Sequence, residues 1–319
     1  MRDGRAKILL LTAGAMLAFA ANSLLCRLAL AADAIDPASF AALRLLSGAL
    51  ALGILVRCRG TMVAAGPARA DWLAAAMLFA YVACFALAYR SLTASAGALI
   101  LFGAVQLTMF AAGLWRGERF LLRAWAGVAV AIAGLVCLLA PGAAAPLPGG
   151  AMLMAAAGLA WGIYSLRGRG VADPLAATAA NFLRAAPLGL LLCLPFGLLS
   201  GLPSGLPSAP ASGLLHVGGL HADLHGAALA IASGALTSGI GYAIWYTALR
   251  ALSSMQAATV QLAVPPLAAL GGALWLGEAI EARLVLASVA VLGGIALVVG
   301  GAQVKTAPPS RVAPLPEKS

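Results

Sequence analysis

An all-α integral membrane fold of ten transmembrane helices, arranged as two inverted five-helix repeats, is predicted by three features of the sequence. The composition is 63% hydrophobic and only 9% charged over 319 residues. Apolar runs long enough to cross a bilayer recur ten times. The chain also matches itself when it is displaced by 160 positions.

The first feature excludes a soluble domain. A water-facing surface needs far more charge than this chain carries, whereas a bundle dissolved in lipid turns apolar side chains outward. The mean hydropathy of +1.00 agrees. A net charge of +10 raises the question of nucleic acid. That partner requires a continuous basic surface, and here the basic residues sit in short connectors between apolar runs. Five cysteines (Cys26, Cys58, Cys84, Cys137, Cys193) are scattered singly. Their spacing fits neither a disulfide framework nor a zinc site, so they read as reduced packing residues. No cofactor or metal is expected.

A spanning helix needs about 20 mostly apolar residues. Such runs lie at 8–30, 38–56, 72–89, 93–115, 124–140, 149–166, 175–199, 227–249, 254–276 and 284–302. The first follows Arg2, Arg5 and Lys7, and with Ala18-Phe19-Ala20 it resembles a cleavable signal peptide. The apolar run continues past that point to Leu25 and has a counterpart in the second half, so it reads as a helix. The connector 200–222 holds Pro203, Pro207 and Pro210 among Gly and Ser, which rules out a regular span. Residues after Gln303, with Pro308, Pro309, Pro314 and Pro316, read as a disordered tail. The domains are therefore expected at 1–142, 149–302 and a cytoplasmic tail 303–319.

Placing the N-terminus inside puts Arg2, Arg5, Lys7, Arg57, Arg59, Arg69, Arg116, Arg119, Arg123, Arg167, Arg169, Arg250, Lys305, Arg311 and Lys318 on the cytoplasmic side. The other side keeps Arg27, Arg90 and Arg283, and the imbalance is the one expected of short cytoplasmic loops. Ten spans with both termini inside satisfy it; nine or eleven break the alternation.

At the offset of 160, Arg90 falls on Arg250, Leu92 on Leu252, Ala98 on Ala258 and Leu107 on Leu267. Leu114-Trp115 falls on Leu274-Trp275, Gly117-Glu118 on Gly277-Glu278, Arg123 on Arg283 and Gly134 on Gly294. These identities at one offset indicate duplication. Upstream the match needs gaps: Phe19 to Ser23 resembles Trp161 to Ser165, Asp36-Pro37 resembles Asp173-Pro174, and Leu43-Arg44 resembles Leu183-Arg184. Five spans is an odd number, so the second copy must be inverted. The connector after the fourth helix changes from Arg116, Glu118, Arg119 and Arg123 to Glu278, Glu281 and Arg283, as expected of a cytoplasmic loop moved outside. Inverted repeats around a central site are a recurring design of secondary transporters, because alternating access follows from exchanging the conformations of the halves. Duplication without transport is the plainer alternative.

The segment from Gln261 to Glu278, QLAVPPLAALGGALWLGE, resembles the signature of the drug/metabolite transporter superfamily, EamA type, and a paler copy runs from Val105 to Glu118. The resemblance covers about 8–302. It implies export or exchange of amino acids and related metabolites across a bacterial inner membrane. In many relatives a carboxylate precedes the proline of the ninth helix; here that position is Val264.

Arg44 and Arg184 lie inside the second and seventh spans, where an arginine is costly unless it faces a cavity or partner. They read either as one anion-binding cation per half or as side chains snorkelling to the nearer interface. Pro265-Pro266 interrupts backbone bonding in the ninth span and predicts a kinked, cavity-lining helix. Asn22, Tyr81, Gln106, Trp161, Tyr164, Asn181, Tyr242, Trp245, Tyr246, Gln256 and Gln261 lie away from span ends. Each alone reads as helix-helix glue; together they offer a mixed apolar and hydrogen-bonding pocket for a small amphipathic solute. The substrate-binding set expected from the sequence is Arg44, Arg184, Asn22, Tyr81, Gln106, Trp161, Tyr164, Asn181, Tyr242, Trp245, Gln261 and Pro265. Trp72, Trp115, Trp125 and Trp275 sit at span ends as interface anchors, and Glu118 and Glu278 read as structural caps or partners of arginines. No acidic residue lies well inside a span, and His216, His221 and His225 belong to the outer connector, so proton coupling lacks a buried titratable group. Facilitated diffusion or exchange is the simpler expectation.

A membrane transferase would show His, Asp or Glu clusters at the membrane edge, a scaffold or receptor a soluble module, and a channel rings of filter residues. The sequence shows none of these. The expected partners are a small solute and the bilayer, with the duplicated halves able to form a complete unit in one chain.

Overall fold

The computed structural model describes residues 2–59, 71–115, 117, 120–140, 146–168, 171–199, 215–217, 220–249 and 260–301. Arg69, Arg116, Glu118, Arg119, Arg169, Arg250, Gln256, most of the 200–222 connector and the tail from 302 onward lie outside the described residues.

Among the described residues ten helices and one hairpin follow in order: α1 (Arg2–Ala31), α2 (Pro37–Cys58), α3 (Trp72–Tyr89), α4 (Ala94–Trp115), α5 (Leu122–Leu139), α6 (Pro148–Arg167) and α7 (Pro174–Leu199). Strands β1 (Leu215–Val217) and β2 (Leu220–Ala222) precede α8 (Leu224–Leu249), α9 (Val264–Leu276) and α10 (Ala282–Gly301). The first eight helices are long and apolar enough to cross a membrane, and α9 and the Ala282–Val298 stretch of α10 are shorter apolar helices. The chain is a multi-pass membrane protein.

Local chemistry starts these helices where the sequence repeats itself. Asp36 caps α2, accepting from the Ala38 and Ser39 N–H groups at 2.9 Å each, with Pro37 in the first turn. Asp173 does the same ahead of α7, accepting from Leu175 at 3.1 Å and Ala176 at 3.2 Å, with Pro174 following it. An Asp-Pro pair satisfies orphan N–H groups and places the residue that lacks one where none is needed. At the far ends of α4 and α9, Gly117 and Gly277 adopt φ of 79° and 64°. Only glycine takes that left-handed conformation without cost, so the repeated Gly-Glu is a repeated helix stop.

The packing follows the inversion. Assigning α1–α5 to α6–α10 in order, the contact of α1 with α9 is matched by α6 with α4, α1 with α8 by α6 with α3, and α2 with α8 by α7 with α3. The pairs α2–α7, α4–α9 and α5–α10 map onto themselves across the pseudo-axis. Helices α5 and α10 form a peripheral pair whose outer faces expose Leu122, Val130, Val136, Leu286 and Val289. Between the two, Gly127 packs on the Gly294 carbonyl and Gly294 on the Gly127 carbonyl, so closely that neither position has room for a methyl group.

Two elements depart from ideal helices. Residues Ser233–Ile240 of α8 form a π-helix between α-helical stretches Leu224–Ala232 and Gly241–Leu249. In the ninth span, Gln261 is helical, Leu262 and Ala263 form a turn, and α9 begins afresh at Val264. Pro265 and Pro266 therefore sit in a first turn, opening a helix where the sequence predicts a bend within one.

One end of the bundle carries β1–β2. The His221 N–H donates to Asp36 Oδ2 at 3.0 Å, and the Asp36 N–H donates back to the His221 carbonyl at 2.9 Å, pinning the hairpin on the α1–α2 connector. This is the hairpin end; the opposite end, holding the start of α1 and the end of α6, is the N-terminal end. Trp72, Trp115 and Trp275 are exposed at or near helix ends, and Trp125 is exposed in the first turn of α5.

Candidate central site

The core of an ordinary membrane bundle is apolar; this one contains a cation. Arg44 on α2 is fully buried. Its Nε donates to Ser238 Oγ at 3.1 Å and its Nη2 donates to Tyr81 Oη at 3.0 Å. Its Cζ lies 5.1 Å from the ring centroids of both Tyr81 and Phe85. Its Nη1 is buried with no hydrogen-bond partner. Desolvating a guanidinium costs several kcal/mol, against which charge-assisted hydrogen bonds give about 1.5–3 kcal/mol each and desolvated cation–π contacts about 2. These partners offset the burial, yet all are neutral, and the positive charge remains.

Asn22 on α1 extends the network. Its Nδ2 donates to Tyr81 Oη at 3.4 Å, while its Oδ1 accepts from Ser233 Oγ at 2.7 Å and Thr237 Oγ1 at 3.2 Å. Ser233, Thr237 and Ser238 all come from the π-helical stretch of α8. Close approach makes this possible: a Cβ on Gly234 would collide with Ser47 Oγ and the Arg44 carbonyl, so α8 lies directly against α2. Small residues allow such contact between membrane helices.

Aromatic rings form the remaining walls. Trp161 on α6 has its ring centroid 4.9 Å from Tyr81 on α3, 5.0 Å from Tyr242 on α8 and 5.5 Å from Tyr164. Phe19 on α1 meets Trp161, Tyr242 and Trp245 edge-on at 6.2, 6.0 and 5.8 Å. Phe19, Asn22, Ser23, Tyr81, Phe85, Phe102, Trp161 and Tyr242 enclose a cavity of about 20 Å³, room for about one water molecule. The walls come from both halves, and any larger occupant requires them to move apart.

Of the residues singled out in the sequence, Arg44, Asn22, Tyr81, Trp161, Tyr242 and Trp245 meet here. Tyr164 touches Trp161 and stands beside Asn181, Thr178 and Tyr246 in a neighbouring polar cluster. Pro265 is buried on α9. Gln261 is buried with Oε1 unpartnered, and Gln106 keeps Nε2 unpartnered on α4. Arg184 is half-buried on α7, and its charge acts on Asp71 at the N-terminal end. The structure does not bring it to Arg44. Sequence reading passed over Phe19, Phe85, Ser233, Thr237 and Ser238 as site residues.

Charged clasps flank the site. At the hairpin end, Arg27 Nε donates to Glu278 Oε1 at 3.1 Å and Arg27 Nη1 donates to the Tyr89 carbonyl at 3.0 Å. Glu278 Oε2 also accepts from the Ala94 N–H at 2.8 Å, so α1, α4 and the end of α9 are tied together. Nearby, Arg283 donates to the Cys137 and Ala140 carbonyls. At the N-terminal end, Arg167 Nε donates to Asp71 Oδ2 at 2.8 Å, joining the end of α6 to the start of α3. Burial works against ionisation of Asp71, but the Arg167 hydrogen bonds, the Ala74 N–H and the charges of Arg167 and Arg184 outweigh it and hold the carboxyl below its ordinary range.

The model of the EamA-like transporter family matches residues 6–140 and 148–300, one match for each half. The chain belongs to the EamA-like transporter family. It is a membrane transporter of the drug/metabolite type. The EamA-like chain is 53% identical over 292 residues to Uncharacterized protein PA1977 of Pseudomonas aeruginosa, covering 92% of this chain and 94% of the relative. A solved structure, titled only as the crystal structure of a protein, superposes with a TM-score of 0.57 at 22% identity, covering 90% of this chain and 98% of the other. That likeness concerns the fold. No group of three or more His, Cys, Asp or Glu that could hold a metal occurs among the described residues.

Proposed function

We propose that this chain is a secondary transporter that moves amino acids or related small metabolites across a bacterial inner membrane by alternating access, with both termini cytoplasmic. The observation that carries this reading is the central cluster: a buried cation, amide and hydroxyl groups, and aromatic walls contributed by α1, α2 and α3 from one half and α6 and α8 from the other. A site shared between inverted halves can be opened to either side by the same motion performed in mirrored fashion. The clasps at opposite ends, Arg27–Glu278 and Arg167–Asp71, supply contacts that must part in turn. Among the described residues every Asp and Glu belongs to a connector, a cap or a first helical turn, which supports facilitated diffusion or exchange over proton coupling.

Purified protein in liposomes, offered a labelled panel of amino acids and their deaminated carboxylates with and without a pH gradient, tests this. Saturable uptake, indifferent to the gradient and lost in Arg44→Gln, is expected. Comparison with Arg184→Ala separates the central cation from the peripheral one. A stoichiometric proton flux would defeat the facilitation reading, and no saturable uptake of any member of the panel would defeat this substrate class.

A further inference from the structure

Resting on the central cluster as the solute site, we propose that the solute carries a carboxylate toward the Arg44–Tyr81 end of the cavity and has no ammonium group beside it. A guanidinium does not lose its proton in a protein, so the charge of Arg44 is permanent. The ion pairs among the described residues join Arg27 to Glu278 and Arg167 to Asp71, and the His221 ring lies 3.4 Å from the Asp33 carboxylate. Arg44 takes part in none of them. A charge this deep is ordinarily paired, and one of its nitrogens is both buried and unpartnered.

The hydrogen bonds point the same way. Tyr81 Oη accepts from Arg44 and Asn22 and also shares a hydrogen bond with the Tyr242 hydroxyl, so of these two phenols one proton is left to give. Asn22 Oδ1 is engaged by two hydroxyls, and Ser238 Oγ accepts from Arg44. The capacity remaining at this end is donor capacity: the Nη1 hydrogens and a tyrosine proton. Tyr81 and Phe85 line the cavity, and the guanidinium lies 5.1 Å from the centroid of each ring. The field reaching the solute is therefore positive.

An ammonium group would find no compensation. The carboxylates toward the hairpin end are committed, Asp36 to three backbone N–H groups and Glu278 to Arg27 and the Ala94 N–H. Beside an uncancelled guanidinium a second cation is repelled. Parted to admit a solute, the Phe19, Trp161 and Tyr242 walls suit a flat or branched apolar body. Together these features describe an apolar monocarboxylate, the deaminated counterpart of an amino acid.

Three probes on one skeleton separate the possibilities: 3-phenylpropionate, phenylalanine and phenethylamine, titrated against the tryptophan fluorescence of the full-length detergent-solubilised protein. Half-saturation by 3-phenylpropionate is expected at a concentration at least tenfold lower than by phenylalanine, with phenethylamine weaker still. Arg44→Gln should abolish the order. Because that variant removes a buried hub and can fail to fold, Tyr81→Phe, which keeps the ring, provides the second arm and should weaken 3-phenylpropionate about tenfold while leaving phenethylamine unchanged. Equal affinities, a reversed order, no binding of 3-phenylpropionate, or an order that survives in folded variants would overturn the proposal. Saturable uptake of zwitterions alone would overturn the charge assignment and leave transport standing. Binding of the anion without uptake of any probe would do the reverse.

Discussion

Arg27 and Glu278, 251 positions apart in sequence, meet in a 3.1 Å ion pair on the hairpin side of the central cavity. Both side chains are largely buried, and Glu278 simultaneously accepts the first N–H of α4. The pair joins the first helix of one half to the end of the ninth span in the other. Under the proposed alternating access, opening this side of the bundle would part it.

Glu278→Gln keeps an oxygen for Ala94 and removes the charge from Arg27. A hydrogen bond between charged groups contributes about 1.5–3 kcal/mol, so the hairpin side should open at least about tenfold more often. With Cys26, fully buried on α1 in the closed form, as the sole cysteine, its modification by an impermeant thiol reagent should accelerate by that factor. An unchanged rate would show that the clasp does not limit opening.

Asp71 makes the opposite end sensitive to acid. Its carboxyl titrates below the ordinary range when folded, so its stabilising effect is full above the unfolded value and fades as pH falls through the folded one. The melting temperature of wild type should drop more steeply than that of Asp71→Asn as the pH is taken from about 5 to about 3. Parallel curves would remove Asp71 from the account.

Gly234→Ala should destabilise by about 1–3 kcal/mol, the usual effect of overpacking, because the new methyl meets Ser47 and the Arg44 backbone. Gly53→Ala, on α2 with nothing nearby, is the matched control; alanine's better helix propensity should leave it neutral or stabilised by up to about 1 kcal/mol. Thermal unfolding in detergent decides both.

Cys58 is exposed at the end of α2, and Leu224 is exposed at the start of α8 at the other end of the bundle. With cytoplasmic termini, a variant keeping only Cys58 should resist an impermeant maleimide until the inner membrane is permeabilised. Leu224→Cys in a cysteine-free background should label in intact spheroplasts. The reversed pattern would invert the proposed orientation.

The helices were legible because a span is a property of composition over about 20 residues, the duplication because two copies of one motif end in the same glycine stop, Gly117 and Gly277, and the inversion because each copy holds an odd number of spans. Arg44 was visible as a charge in an apolar run. Its difference from Arg184 was not, since the two occupy matching places in the repeat and only tertiary packing separates a fully buried side chain from a half-buried one. The hydroxyls of α8 were hidden for another reason. Ser233 and Ser238 are five apart, which on an α-helix turns them about 140° from each other. The i to i+5 bonding of a π-helix brings such positions toward one face, and nothing in the local composition announces that change. Phe19 and Phe85 looked like two more apolar residues in apolar runs.

The glycine contact between α5 and α10 bears on how the two copies came to depend on each other. Each copy's last helix is shaped to the other's backbone, so closely that Gly127 and Gly294 touch carbonyl to carbon. A polypeptide severed between residues 140 and 148 would thus consist of two fragments that are each other's missing subunit. Co-expressed, they should assemble as a heterodimer; expressed alone, each should be cleared by proteolysis. The fused gene would then be a convenience of stoichiometry laid over an older mutual dependence.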